Sequence, residues 1–122
     1  MPEVIRSADC ANSPKNARAE EIALALMGVG ELAESLLAEN AVWDGATGAR
    51  AGRSAILAAC ADQPKADKIR VEQVVTHGAA GSVSGRITRG GETRLYCHVI
   101  RFTSAAAKQV AQLVSFEHPG GK

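Results

Sequence analysis

The chain has 122 residues, 46% hydrophobic and 22% charged, with aromatics scarce at 3%, a length that suits one domain around one core packed largely by small residues. With 14 basic and 13 acidic residues the net charge is +1, so no global field recruits nucleic acid or an anionic membrane. No apolar run approaches the ~20 residues that span a bilayer, the opening "MPEVIRSADCANSPKNARAEE" lacks the apolar core of a secretion signal, and Cys10, Cys60 and Cys97 form no C-x-x-C pair, so reduced thiols and a cytoplasmic location are expected.

In chain order, residues 1–12 read as a flexible N-terminal arm. Ser13 followed by Pro14 predicts a helix start, the hydroxyl as N-cap and proline at the first helical position. Ala19, Ile22, Ala23 and Leu26 then recur at helical spacing until Gly28, a stop signal. "GELAESLLAEN" predicts a short second helix through Leu32, Leu36 and Leu37, "AVWD" a short strand and "GATGARAG" a loop. "RSAILAACA" predicts a third helix with Ile56, Leu57 and Cys60 on one side, ended by Asp62, Gln63 and Pro64.

Four strands follow, "KIRVEQVVTH", "SVSGRITR", "TRLYCHVIRF" and "KQVAQLVSFE", expected as one antiparallel meander before a tail at residues 118–122. The two glycines of "RGGE" are a type I′ hairpin signal that pairs Arg89 with Glu92, and so Tyr96 with Gly85, His98 with Val83 and Ile100 with Gly81. A large residue opposite a glycine leaves a hollow on the inner face. For the last strand, pairing Phe102 with Lys108 puts His98 near Gln112 and turns Gln112, Val114 and Phe116 inward. The outer face then offers Leu95, Cys97, Val99, Ala111 and Leu113 with Ser82, Ser84 and Ser115, more apolar than a solvated sheet face should be. A two-fold homodimer through that face is expected.

The strand "LYCHVIRF" carries a histidine in a run otherwise read as buried. His98 is either a structural residue bonded to a neighbour or a group facing a ligand; with an unperturbed pKa near ~6.5 an imidazole serves as acid, base or hydrogen-bond donor to a carbonyl. Asp44 is the carboxylate that would orient it or take a proton, against the alternative of a solvated loop aspartate. Trp43 is either core or a face on which a planar ligand stacks. Tyr96, Gln112, Val114 and Phe116 complete the expected pocket lining. Cys97 and His98 point to opposite faces of one strand, and His77 and His118 lack ligand spacing, so no metal site is expected and nothing calls for a cofactor. Arg86, Arg89, Arg94 and Arg101 read as a solvated rim without the interleaved aromatics of a nucleic-acid platform.

From about Pro14 to Phe116, the stretches "GELAESLLAENAVWDGATG", the "G-R-S-A-I" helix start, "VVTHGAAGSVSG", "YCHVIRF" and "KQVAQLVSF" resemble, in this order, the nuclear-transport-factor-2-like superfamily, which includes SnoaL-type polyketide cyclases and ketosteroid isomerases. The resemblance implies an α+β fold of the cystatin-like kind, a curved antiparallel sheet wrapped around N-terminal helices as a cone with a pocket at its open end. Carried over by position, the isomerase's general-base aspartate would fall at Gly45, one past Asp44. Its oxyanion-hole tyrosine would fall near Glu21 and the assisting neutral aspartate at His98. The steroid-isomerase dyad is therefore not retained, while a polar group stands at His98, where relatives aim a proton donor at a ligand.

Two readings follow. One is a cofactor-independent isomerase, cyclase or hydrolase acting by proton transfer next to a carbonyl, with His98 and Asp44 as its catalytic groups. The other is a non-catalytic dimeric binding or assembly domain of the same fold. Both take a small, largely apolar molecule as partner, and neither involves nucleic acid or a membrane.

Overall fold

A computed structural model describes residues 2–10, 13–45 and 48–119. Among them, two helices lie on a seven-stranded mixed sheet of order β1-β4-β5-β6-β7-β2-β3. The elements are β1 (Glu3–Ile5), α1 (Pro14–Leu26), β2 (Leu37–Gly45), β3 (Gly48–Ala51), α2 (Arg53–Ala61), β4 (Lys68–His77), β5 (Ala80–Arg89), β6 (Glu92–Phe102) and β7 (Val110–Pro119). β4 to β7 form the expected meander, while β1 joins β4 and β2 joins β7 in parallel. This is an α+β curved-sheet cone, and among the described residues no helix is long and apolar enough to cross a membrane.

Helix α1 begins as its sequence dictates, the Ser13 hydroxyl accepting the Asn16 N–H at 3.2 Å ahead of Pro14. It ends in a Schellman motif. Gly28 sits at φ +90, its N–H donates to Ala25 O at 3.0 Å and the Val29 N–H to Leu24 O at 2.8 Å, which satisfies the last carbonyls. The face with Ala19, Ile22, Ala23 and Leu26 is buried, and its alanines allow close approach to the sheet.

The Gly90–Gly91 turn has both glycines at positive φ, +58 and +83, as a type I′ hairpin requires. It sets the expected register: Arg89 pairs with Glu92, Gly85 with Tyr96, Val83 with His98 and Gly81 with Ile100.

Five local expectations are corrected. Instead of a second helix there is one 3-10 turn at Glu34–Leu36, and the strand starts at Leu37. The Leu32, Leu36 and Leu37 spacing suits a helix, but pairing with β7 overrides that weak local preference. The loop "GATGARAG" contains β3, antiparallel to β2; Ala46 and Thr47 lie outside the described residues. The N-terminal arm is anchored over its described part. Glu3–Ile5 pairs with Lys68–Arg70, the Asp9 carboxylate accepts the Val74 N–H at 3.0 Å, and Glu20, buried on α1, accepts the Ser7 N–H at 2.9 Å beside Arg6. At the other end, His118 and Pro119 belong to β7, and residues 120–122 lie outside the described residues.

The fifth correction moves the site. β7 pairs Val110 with Phe102 but Gln112 with Arg101, so one extra residue bulges out of the ladder and every later side chain changes face. Leu113 and Ser115, expected outside, face inward opposite Ile100 and His98, and Leu113 is fully buried. Gln112, Val114 and Phe116 fall in line with Arg101, Val99 and Cys97 on the outer face.

Candidate functional site

His98 stands in the middle of β6, between Val83 on β5 and Ser115 on β7, and is 3% exposed. Alternation along β6 turns it inward with Tyr96 and Ile100 and turns Cys97 outward. Tyr96 does not share its task. The phenol lies across Gly85 and donates to Arg70 O at 3.0 Å, and its ring centre is 5.3 Å from that of His98. The hollow opposite Gly85 is thus filled by Tyr96 itself and by the Arg70 carbonyl that a bulge in β4 brings close. Burial first, then Glu20 and Glu72, pushes the Tyr96 hydroxyl far above the usual phenol range, which leaves it a protonated structural donor.

The polar partner of His98 is Ser115. Trp43 Nε1–H donates to Ser115 Oγ at 2.8 Å, and Ser115 Oγ lies 2.7 Å from His98 Nδ1. An indole N–H only donates, so the serine oxygen accepts there and its own proton points to Nδ1. The reverse assignment would leave the hydroxyl proton without an acceptor. The ring is then the neutral tautomer with its proton on Nε2, and among the described residues Nε2 has no hydrogen-bond partner. Electrostatics agree: desolvation by burial lowers the pKa of His98 to about 4, with Glu117 opposing the shift and Arg89 adding to it. At neutral pH the imidazole is an uncharged donor.

A cavity of about 320 Å3 opens beside this ring, near the lower end of the range for small-molecule sites. Its walls include Leu26 and Met27 from the end of α1, Trp43 from β2, Arg50 from β3, Gln63 after α2, and Ser115 from β7. At one end Arg89 and Arg94 converge on Glu117, with Arg89 Nη1 and Nη2 donating at 3.2 and 3.3 Å and Arg94 Nε at 3.2 Å. Arg89, read from sequence as a solvated rim residue, thereby becomes part of the wall.

Of the expected site residues, His98 and Trp43 meet at the cavity, and Trp43 is both core and lining at 6% exposure. Phe116 also lines it, although its strand position is on the outer parity and it is 57% exposed. Asp44 is exposed on β2, on the face opposite Trp43, and is not brought to His98. Gln112 and Val114 stand on the outer face because of the β7 bulge, so neither they nor Tyr96 form the lining. Ser115, Arg50, Arg89 and Glu117 are the residues sequence reasoning missed. Arg89 carried a visible signal as one of the arginines clustered around the Gly-Gly turn, Arg50 in the loop-like "GATGARAG" carried none, and Ser115 was hidden by the bulge. Gly45, where the isomerase base would stand, is on the wall without a side chain to offer.

No protein-family model and no curated protein matches the chain. Solved structures do. An NTF-2 like protein of unknown function from Burkholderia xenovorans superposes with a TM-score of 0.71 at 14% identity, over 88% of this chain and 86% of that one. A Silicibacter pomeroyi protein with a cystatin-like fold gives 0.67 at 16% identity, covering 91% and 78%. A Kribbella flavida protein proposed to be a ketosteroid isomerase gives 0.61 at 20% identity, covering 88% and 72%. At these identities the likeness is one of fold, and fold alone does not fix activity. The chain has the NTF2-like, cystatin-like fold.

Proposed function

We propose that this chain binds a small, largely apolar molecule in the cavity beside Trp43, with the Nε2–H of a neutral His98 donating to one polar group of the ligand. The observation that carries this reading is the fully enclosed imidazole with Nδ1 engaged by Ser115 and Nε2 unpartnered, in a residue that lines the cavity. A buried donor without an acceptor costs about 1–3 kcal/mol, and a ligand carbonyl or carboxylate is a group that would recover it. The chemistry such a donor supplies is polarisation of a carbonyl. Proton abstraction needs a base as well, and among the described residues Asp44 faces away while Glu117 is committed to two arginines. Binding is therefore better supported than turnover.

Titration of aromatic aldehydes, acids and amides against the protein tests this reading, followed by Trp43 fluorescence and the imidazole resonances of His98. Saturable changes in both are expected, and much weaker binding to His98→Gln. Ligands that bind while leaving the His98 ring signals unmoved would place the site elsewhere.

Assembly is the second part of the proposal. The outer sheet face carries Leu95, Cys97, Val99, Val114 and Phe116 with Val75, and the last two side chains of this stripe are 57% and 47% exposed. A second copy covers this face in a two-fold dimer burying at least ~1,000 Å2, as stable interfaces do.

A further inference from the structure

Resting on the reading that the cavity is a ligand site, we infer that its ligand is a small organic acid whose carboxylate is received by His98 and Arg89, with Arg50 at the rim. The first support is an imbalance of hydrogen-bonding groups. Among the described residues, two buried side-chain nitrogens have no partner, His98 Nε2 and Arg89 Nε, and both residues line this one cavity. Each is a donor: Nε2 because Ser115 holds the tautomer, Nε because a guanidinium offers no acceptor. The carboxylate beside them is already spent, since Glu117 accepts from both Nη atoms of Arg89 and from Arg94 Nε. Two orphaned donors with no free acid beside them ask for a ligand rich in acceptors.

Charge gives the second support. Arg89 and Arg94 share the partly buried Glu117, and the other acid reaching them is Glu92, 70% exposed and 3.7 Å from Arg94. An ion so exposed neutralises little. Arg50 adds a cation whose hydrogen bond, among the described residues, goes to its neighbour's carbonyl, Ala49 O, at 3.3 Å. Against these stands Asp62 on the cavity rim, which is exposed and so screened by solvent. A ligand carboxylate supplies the anion that this end of the cavity lacks.

Geometry gives the third. Glu117 lies two residues beyond Ser115 on the same face of β7, about 7 Å by strand rise. The guanidinium held on Glu117 and the imidazole held on Ser115 are therefore neighbours along one strand. A carboxylate, accepting charge-assisted bonds of about 2.8 Å at each oxygen, suits such a pair of donors. The apolar remainder of the acid rests on Leu26, Met27 and Trp43.

The test uses three probes of one shape, naphthoate, naphthamide and naphthalene, titrated into the full chain with Trp43 fluorescence and His98 ring resonances as readouts. Naphthoate is expected to bind at least tenfold more tightly than naphthamide, and naphthalene most weakly. Arg50→Gln, remote from the core, should cut the acid-over-amide preference about threefold, and Arg89→Met should bring it within twofold, with naphthoate losing far more affinity than naphthamide. If Arg89→Met does not fold, salt replaces it: added salt should weaken naphthoate and leave naphthamide unchanged. Equal affinity for acid and amide, with His98 responding to both, overturns the carboxylate assignment and leaves the cavity reading intact. No response of His98 to any of the three overturns both.

Discussion

A neutral, buried His98 makes the stability of the domain depend on pH in a direction and amount that can be worked out. In the unfolded chain an imidazole titrates near 6.5, whereas in the fold burial lowers it to about 4. Above pH 6.5 both states are uncharged and the group contributes nothing to the pH dependence. As pH falls below 6.5 the unfolded chain takes up a proton that the folded one refuses, so stability is lost between 6.5 and 4. At 1.36 kcal/mol per pH unit of displacement, the loss at pH 5 relative to pH 7 is about 2 kcal/mol, or about 8 °C in Tm for a chain of this size. The assay is urea and thermal denaturation of wild type and His98→Gln at pH 7, 6 and 5. The variant is expected to be about 1–3 kcal/mol less stable at pH 7, because Ser115 loses its acceptor. Its disadvantage should shrink with acid by about 2 kcal/mol, since glutamine has no proton to refuse. Parallel loss of stability in the two proteins, with a constant gap, would show that His98 is not held neutral by burial and refute the reasoning.

Gly85→Ala is expected to destabilise the domain by at least ~3 kcal/mol in urea denaturation, because its Cβ would stand 1.9 Å from Arg70 O and 2.9 Å from the Tyr96 hydroxyl. Gly91→Val should cost about 1–2 kcal/mol at the Gly-Gly turn, where φ is +83. Asp44→Asn should leave the titration of the His98 ring unchanged by nuclear magnetic resonance, since Asp44 lies on the other face of the sheet. Phe116→Lys should shift the protein from dimer to monomer by light scattering at micromolar concentration while its melting temperature holds within a few degrees.

What was legible in the sequence was what local chemistry decides. The Ser13–Pro14 cap, the Gly28 stop and the Gly-Gly turn each need a particular residue at a particular backbone conformation, and the turn carried the β5–β6 register with it, His98 included. What was not legible depended on one inserted residue. Strict alternation from Val110 turns Gln112 inward, but the bulge hands the inner face to Leu113, Ser115 and Glu117. No residue type near Ala111 announces it, because a bulge is selected by how two strands must bend together. Glu34–Leu36 failed for a related reason, a helical apolar spacing overruled by pairing with a strand some 75 residues away, as with Leu37 and Val110. The Arg89–Glu117 contact shares that origin, since both partners had to be on the right face before they could meet.

The central claim, that His98 offers an Nε2–H donor to a ligand in the cavity beside Trp43, is tested most directly by a long-range proton–nitrogen correlation spectrum of its imidazole at neutral pH. A protonated Nε2 and an unprotonated Nδ1 are expected in the free protein, with the Nε2 resonance moving when an acid or carbonyl compound fills the cavity. A ring protonated on Nδ1 or on both nitrogens, or an Nε2 signal indifferent to a bound ligand, would contradict it.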